Sequence, residues 1–123
     1  MAWQLNSDRP IYLQLVEIIQ MQIVSGLYKP GDKLPSVREL AAEASVNPNT
    51  MQKAFAELER SGLIITQRTS GRIVTEDREM IKSIQLELAK ESIREFFKKM
   101  EELGYEKEEI VALTEAAAEE GAA

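Results

Sequence analysis

Five polar side chains crowd into one short stretch, Val46-Asn-Pro-Asn-Thr-Met-Gln-Lys-Ala54: Asn47, Asn49, Thr50, Gln52 and Lys53. The amides of Asn and Gln carry a donor and an acceptor side by side, the arrangement that pairs bidentately with an adenine edge. A helix that begins here also offers backbone N–H groups with no intrahelical partner. A second polar group follows, where Arg68 and Arg72 flank Thr69-Ser70-Gly71, a tip small enough to approach a sugar-phosphate backbone. A third is Arg38, just inside Ser36-Val-Arg-Glu39; a cation at the positive end of a helix favours a phosphate. The chemistry these residues suit is hydrogen bonding to base edges and charge pairing with phosphates.

Other chemistry is poorly supplied. The 123 residues include no Cys and no His, which removes disulfides, thiolate metal sites, and the commonest general base and metal ligand. Carboxylates such as Glu57, Glu91 and Glu95 fall on exposed helical faces, and no nucleophile, base and oxyanion donors can be assembled around them. The sequence therefore reads as a protein without cofactor or metal, and not as an enzyme. No apolar run approaches the length that spans a membrane. The opening MAWQLNSDRP has no basic stretch followed by an apolar core, so the expectation is a cytoplasmic protein.

Formal net charge is −6, which argues against a nucleic-acid partner until the chain is divided. Residues 1–75 hold 8 Lys/Arg against 7 Asp/Glu, net +1, whereas residues 76–123 hold 7 against 14, net −7. The acidity belongs to the tail.

The elements that must position the polar groups follow from periodicity. Tyr12, Leu15, Ile19 and Ile23 recur at helical spacing from Pro10 to about Ser25, broadened by Val16, Ile18 and Met21, with Asp8 as a candidate N-cap. GLYKPGDKLPS is a turn-rich connector. Ser36 and Glu39 have the capping-box form and open a short helix with Leu40 and Ala41 on its inner face. Asn47 caps the next helix, Pro48 suits its first position, and Met51, Ala54, Phe55 and Leu58 form its apolar stripe until Gly62 ends it. LIITQ and RIVTE around a polar turn predict a β-hairpin. From Asp77 to about Leu103 runs a long amphipathic helix stopped by Gly104, and a shorter one follows from about Glu106. The fold class expected is mainly α with a small β-hairpin (α+β): a winged helix-turn-helix over residues 1–75 and a helical tail over residues 76–123.

Singly, each polar feature has a plainer reading. Asn47-Pro48 starts helices in any protein, Arg38 suits a solvated helix face, and Arg68 and Arg72 suit cross-strand solubilising charges. The order of elements lifts the functional reading: two helices joined by a tight turn, a polar start to the second, and a basic hairpin beside it.

Gly31-Asp-Lys-Leu-Pro-Ser-Val-Arg-Glu-Leu-Ala41, Val46-Asn-Pro-Asn-Thr50, Ala54, Leu58 and Ser61-Gly-Leu-Ile64 resemble the winged-helix domain of GntR-type bacterial transcription regulators. Tyr12, Gly26 and Pro30-Gly31 fit its first helix and connector, so the resemblance covers residues 9–75. The VNPNT start and the short tail are similar to the YtrA-type subgroup, since the 48 residues after Thr75 cannot hold a large effector domain. The resemblance implies a dimeric repressor on double-stranded DNA with a pseudo-palindromic operator. It puts Arg38 on the DNA, Asn47, Asn49, Thr50, Gln52 and Lys53 in the major groove, and Arg68 to Arg72 in the minor groove. Two departures stand out. Thr69 replaces the first glycine of the usual Gly-x-Gly wing, which limits how deep the tip inserts. Pro48 stands where many relatives carry an Arg, so specificity rests on Asn, Thr and Gln.

In the tail, Ile81, Ile84, Leu88, Ile93, Phe96, Phe97 and Met100 form an apolar stripe, first of all a core feature. Two helices cannot hide all of it, so burial against a second copy, giving a homodimer, is the simplest completion. A small-molecule effector cavity between the tail helices ranks below that. The rival function class is a winged helix used as a protein–protein adaptor, which strongly salt-dependent duplex binding would exclude.

Overall fold

The computed structural model describes residues 3–69 and 71–122. It contains α1 (Ile11–Val24), α2 (Val37–Ala44), α3 (Pro48–Ser61), β1 (Ile64–Gln67), β2 (Gly71–Val74), α4 (Arg78–Glu102) and α5 (Lys107–Ala122). The α+β winged helix-turn-helix expected from the sequence is the fold observed. Two units are distinguishable, one ending at Gln85 and the other beginning at Leu86.

In the first unit, Leu15, Ile19 and Ile23 of α1 meet Leu40, Ala41 and Ala44 of α2 and Met51, Ala54, Phe55 and Leu58 of α3. Leu34, Leu63, Ile64 and Val74 close the core from the side of the hairpin. Full burial of each large side chain is worth about 1.5–3 kcal/mol, so this cluster is what fixes α3 against its two neighbours. The α1 stripe differs from the expected one in its edges. Gln14 and Gln22 are buried, while Met21 is exposed. Asp8 does not cap α1. The helix starts after Pro10, which provides no side-chain cap, and Gln14 instead holds the preceding segment through Asn6 and Arg9. Trp3 and Leu5, in a segment without apolar periodicity, pack against the core.

The capping signals of α2 and α3 are realised. Ser36 Oγ accepts from the Glu39 N–H at 3.1 Å, and Glu39 Oε1 accepts from the Ser36 N–H at 3.2 Å. Asn47 Oδ1 accepts from the Asn49 N–H at 2.7 Å, with Pro48 at the first helical position. Between the two helices the chain turns on Ser45, which adopts a left-handed conformation with φ 57° and ψ 45°. The Ser45 N–H donates to the Ala42 carbonyl and the Val46 N–H to the Ala41 carbonyl, the Schellman pattern of a helix end. Val46 follows directly and packs on the core, so the turn is anchored at both sides.

β1 and β2 pair antiparallel, with Ile65 opposite Ile73 and Thr66 opposite Arg72. The connector before α2 is more ordered than its turn-rich composition suggested. The Gly31 N–H donates to the Val74 carbonyl, Val74 N–H to Asp32 and Leu34 N–H to Arg72, each at 2.9 Å. Residues 31–34 thus lie along the free edge of β2 and tie the wing to the start of α2. The first turns of α4 belong to this unit as well: Ile81 and Ile84 pack against the core, and Gln85 Nε2 donates to the Val24 carbonyl at 3.3 Å.

In the second unit the last turns of α4 are joined to α5 through Gly104, at φ 101°. Glu109 Oε1 accepts from the Glu106 N–H and so caps the start of α5. Ile110 is fully buried there, but much apolar surface is not: Ile93 is 55% exposed, Phe96 40% and Leu103 72%.

Candidate nucleic-acid interface

The start of α3 presents its polar residues outward because its apolar ones are spent on the core. Met51, Ala54, Phe55 and Leu58 are buried at helical spacing, which leaves Asn49, Gln52 and Lys53 exposed and Thr50 half-buried. The side chains of Asn49, Thr50 and Gln52 have no hydrogen-bond or ionic partner among the described residues. Asn47 is partly committed, since its carbonyl oxygen caps the helix. Lys53 is steered: its Nζ lies 4.0 Å from the centroid of the Tyr12 ring, so α1 supplies a platform for a cation of α3.

Arg38 is exposed one residue inside the capped start of α2, and no partner holds its guanidinium among the described residues. Arg68 and Thr69 are exposed in the turn of the hairpin; Ser70 lies outside the described residues. Gly71 has φ 76°, a left-handed conformation that suits glycine. Lys33, Ser36, Glu39, Gly71 and Arg72 line one open recess of about 300 Å³, so the start of α2 and the wing lie side by side.

Arg72 is placed differently from its neighbours. It is half-buried, its Nε donates to Glu59 Oε1 of α3 at 2.5 Å, and its guanidinium carbon lies 5.3 Å from the centroid of the Phe55 ring. Further along α3, Arg60 donates to Glu57 at 2.6 Å. That hydrogen bond holds the Glu57 carboxyl below the usual carboxylate range and raises the Arg60 guanidinium. The second half of α3 is therefore internally neutralised, whereas Arg38, Arg68 and Lys33 have no ionic partner among the described residues and Lys53 rests on Tyr12.

Three contributors escaped the sequence reading. Lys33 stands beside the wing, with its Cε 3.8 Å from where a Cβ on Gly71 would lie. The only signal for it was a cation two residues before Pro35 in what looked like a plain connector. Tyr12 and Glu59 act through space on Lys53 and Arg72, and periodicity alone does not reveal such pairings. Of the tail stripe, Ile81 and Ile84 lie against the first unit's core. Ile93 and Phe96 are exposed, while Leu88, Phe97 and Met100 are half-buried. Phe96 and Phe97 meet edge to face, ring centroids 6.0 Å apart. Phe96, Met100, Leu103 and Tyr105 face Leu113 and Ala117 across an open apolar groove of about 720 Å³. Among the described residues no cluster of acidic side chains could hold a metal ion, and no helix is long and apolar enough to cross a membrane.

Comparison with known proteins agrees with this geometry. The sequence profile described as bacterial regulatory proteins, gntR family, matches residues 11–74. The HTH-type transcriptional regulator YhcF of Bacillus subtilis is 43% identical over 108 residues, which is 88% of this chain and 89% of that protein. The HTH-type transcriptional repressor YtrA of the same organism is 49% identical over 72 residues, 58% of this chain and 55% of that protein. A GntR family transcriptional regulator from Listeria monocytogenes superposes with a TM-score of 0.82 at 43% identity, covering 91% of this chain and 98% of that one. The crystal structure of AraR(DBD) in complex with operator ORX1 superposes with a TM-score of 0.54 at 27% identity, over 58% of this chain and 93% of that one. With the profile spanning more than half of the sequence and the winged helix in place, the chain belongs to the gntR family of bacterial regulatory proteins, transcription regulators with a winged helix-turn-helix DNA-binding domain.

Proposed function

We propose that this protein is a cytoplasmic transcriptional repressor that binds, as a homodimer, a pseudo-palindromic operator. The start of α3 enters the major groove, where Asn49, Thr50 and Gln52 read base edges and Asn47 supplies its remaining amide donors. Lys53 and Arg38 pair with phosphates, and the wing, led by Arg68 and Thr69, lies along the adjacent minor groove. The observation that carries this reading is the contrast along α3: Asn49 and Gln52 near its start are exposed and their side chains have no partner among the described residues, whereas its second half is tied up in ion pairs. A relative named as a repressor and a neighbour solved on its operator support it. The tail from Leu88 to Leu103, together with α5, forms the dimer interface, because the apolar surface on Ile93, Phe96 and Leu103 is exposed in one copy, whereas Ile81 and Ile84 are already spent on the core.

Duplex affinity measured across a range of salt tests the docking. Arg38→Ala weakens binding to every sequence and lowers the slope of log affinity against log salt by about 0.9, the loss of one phosphate contact. Asn49→Ala instead costs about 1–3 kcal/mol on the preferred site and relaxes the preference there. An Arg38→Ala protein with unchanged affinity and slope would falsify the proposed docking.

A further inference from the structure

We infer that Arg72, although it sits in the wing of a DNA-binding domain, is a positioning residue: it holds the wing at a fixed angle to α3 and makes no phosphate contact. This inference rests on the DNA docking proposed above and specifies how the wing is aimed.

The residue is held at both ends. Its carbonyl accepts from the Leu34 N–H at 2.9 Å, which fastens β2 to the segment leading into α2. Its side chain reaches the other way, to Glu59 and over the face of Phe55, and Phe55 is itself fully buried in the core. A planar guanidinium suits this double duty, since it donates in its plane and stacks on an aromatic face at the same time. Both members of the pair are about 70% covered, with exposures of 28% for Arg72 and 31% for Glu59. Only Nε is spent on Glu59, but a phosphate drawn to the remaining Nη groups would lie beside that carboxylate of the same sign. Swinging Arg72 out to meet it would lift the guanidinium off Phe55 and strip a largely covered carboxylate of its counter-ion. Arg68, in the same hairpin, has no such commitment among the described residues and is fully available. The two arginines of the hairpin therefore divide the work: one aims the wing and the other touches the DNA.

Salt dependence separates the roles, because only a phosphate contact releases counter-ions. The probe is a duplex carrying the site selected from a random pool, and affinity is measured at several salt concentrations. Arg68→Gln lowers the slope by about 0.9, as loss of one contact requires. Arg72→Gln lowers affinity roughly fivefold, the equivalent of losing a partly covered ion pair and ring contact of about 1 kcal/mol, and leaves the slope at the wild-type value. The exchange Glu59→Arg with Arg72→Glu rebuilds the ion pair in reverse without the ring contact on Phe55, and so recovers part of the affinity that Arg72→Gln loses. A slope lowered by Arg72→Gln as much as by Arg68→Gln overturns the inference, as does an exchange variant that binds worse than Arg72→Gln alone. Should Arg72→Gln fold poorly, the exchange variant, which keeps the ion pair, still decides between the roles. A wild-type protein whose binding hardly changes with salt would refute the DNA docking itself, and this inference with it.

Discussion

At position 14 of α1 a buried glutamine organises the residues that precede the helix. Its Oε1 accepts from the Asn6 N–H at 2.9 Å, and its Nε2 donates to the carbonyls of Asn6 and Arg9 at 2.8 and 2.9 Å. These bonds keep Trp3 and Leu5 on the core, where Trp3 Nε1 also donates to Glu43. Gln14→Leu is predicted to cost about 1–3 kcal/mol, because the backbone groups it satisfied are left partly buried and unpaired. Urea unfolding measures the cost, and the fluorescence of Trp3, the protein's single tryptophan, reports whether the segment loosens first. An unchanged midpoint would show that the segment contributes nothing. A residue like Gln14 is invisible to apolar periodicity, which assigns polar side chains to the surface. The same blindness hid the pairing of Lys53 with Tyr12 and of Arg72 with Glu59, both set by distance in space. By contrast Asn49, Gln52 and Arg38 stood out in the sequence, because exposed amides and a cation at helix starts have few apolar substitutes there.

Among the elements, the turn between α2 and α3 sets the geometry of the interface, and it is built on strain. Ser45 is the one non-glycine residue with positive φ among those described. A side chain in that region costs on the order of 1 kcal/mol, which the Schellman bonds and the burial of Val46 offset. Ser45→Gly is predicted to unfold at an equal or higher denaturant concentration, with a gain of up to about 1 kcal/mol. Ser45→Val, whose branched Cβ is worse suited to left-handed backbone, loses roughly 1–2 kcal/mol. Equal stabilities for the two variants would contradict a left-handed turn here. Element boundaries were readable where the signal is local: Ser36 with Glu39, Asn47 with Pro48, and the glycines at 62 and 104 all end or begin helices as expected. They were misread where distant backbone decides. Residues 31–34 look like a connector but hydrogen-bond along β2, and Asp8 looks like a cap but precedes a helix whose entry is held by Gln14.

For the whole molecule, charge and apolar surface divide along the chain in a way that suits two tasks. The winged helix-turn-helix carries cations without an ionic partner among the described residues and a core that closes within one copy. The tail is strongly acidic and leaves Ile93, Phe96 and Leu103 exposed. Net negative charge there would repel phosphates, and its apolar surface suits the second copy proposed above. A pair of α3 helices held in this way would meet successive major grooves about 34 Å apart along one face of the duplex. The most direct test is selection from a pool of random duplex DNA at low and moderate salt, with sequencing of what is retained, run in parallel on the wild type and on Phe96→Asp. The wild type is predicted to enrich a two-fold symmetric site whose retention falls as salt rises, and Phe96→Asp to lose that symmetry with its dimer. An unsymmetric site, or the same symmetric site selected equally well by Phe96→Asp, would contradict a repressor dimerised through its tail.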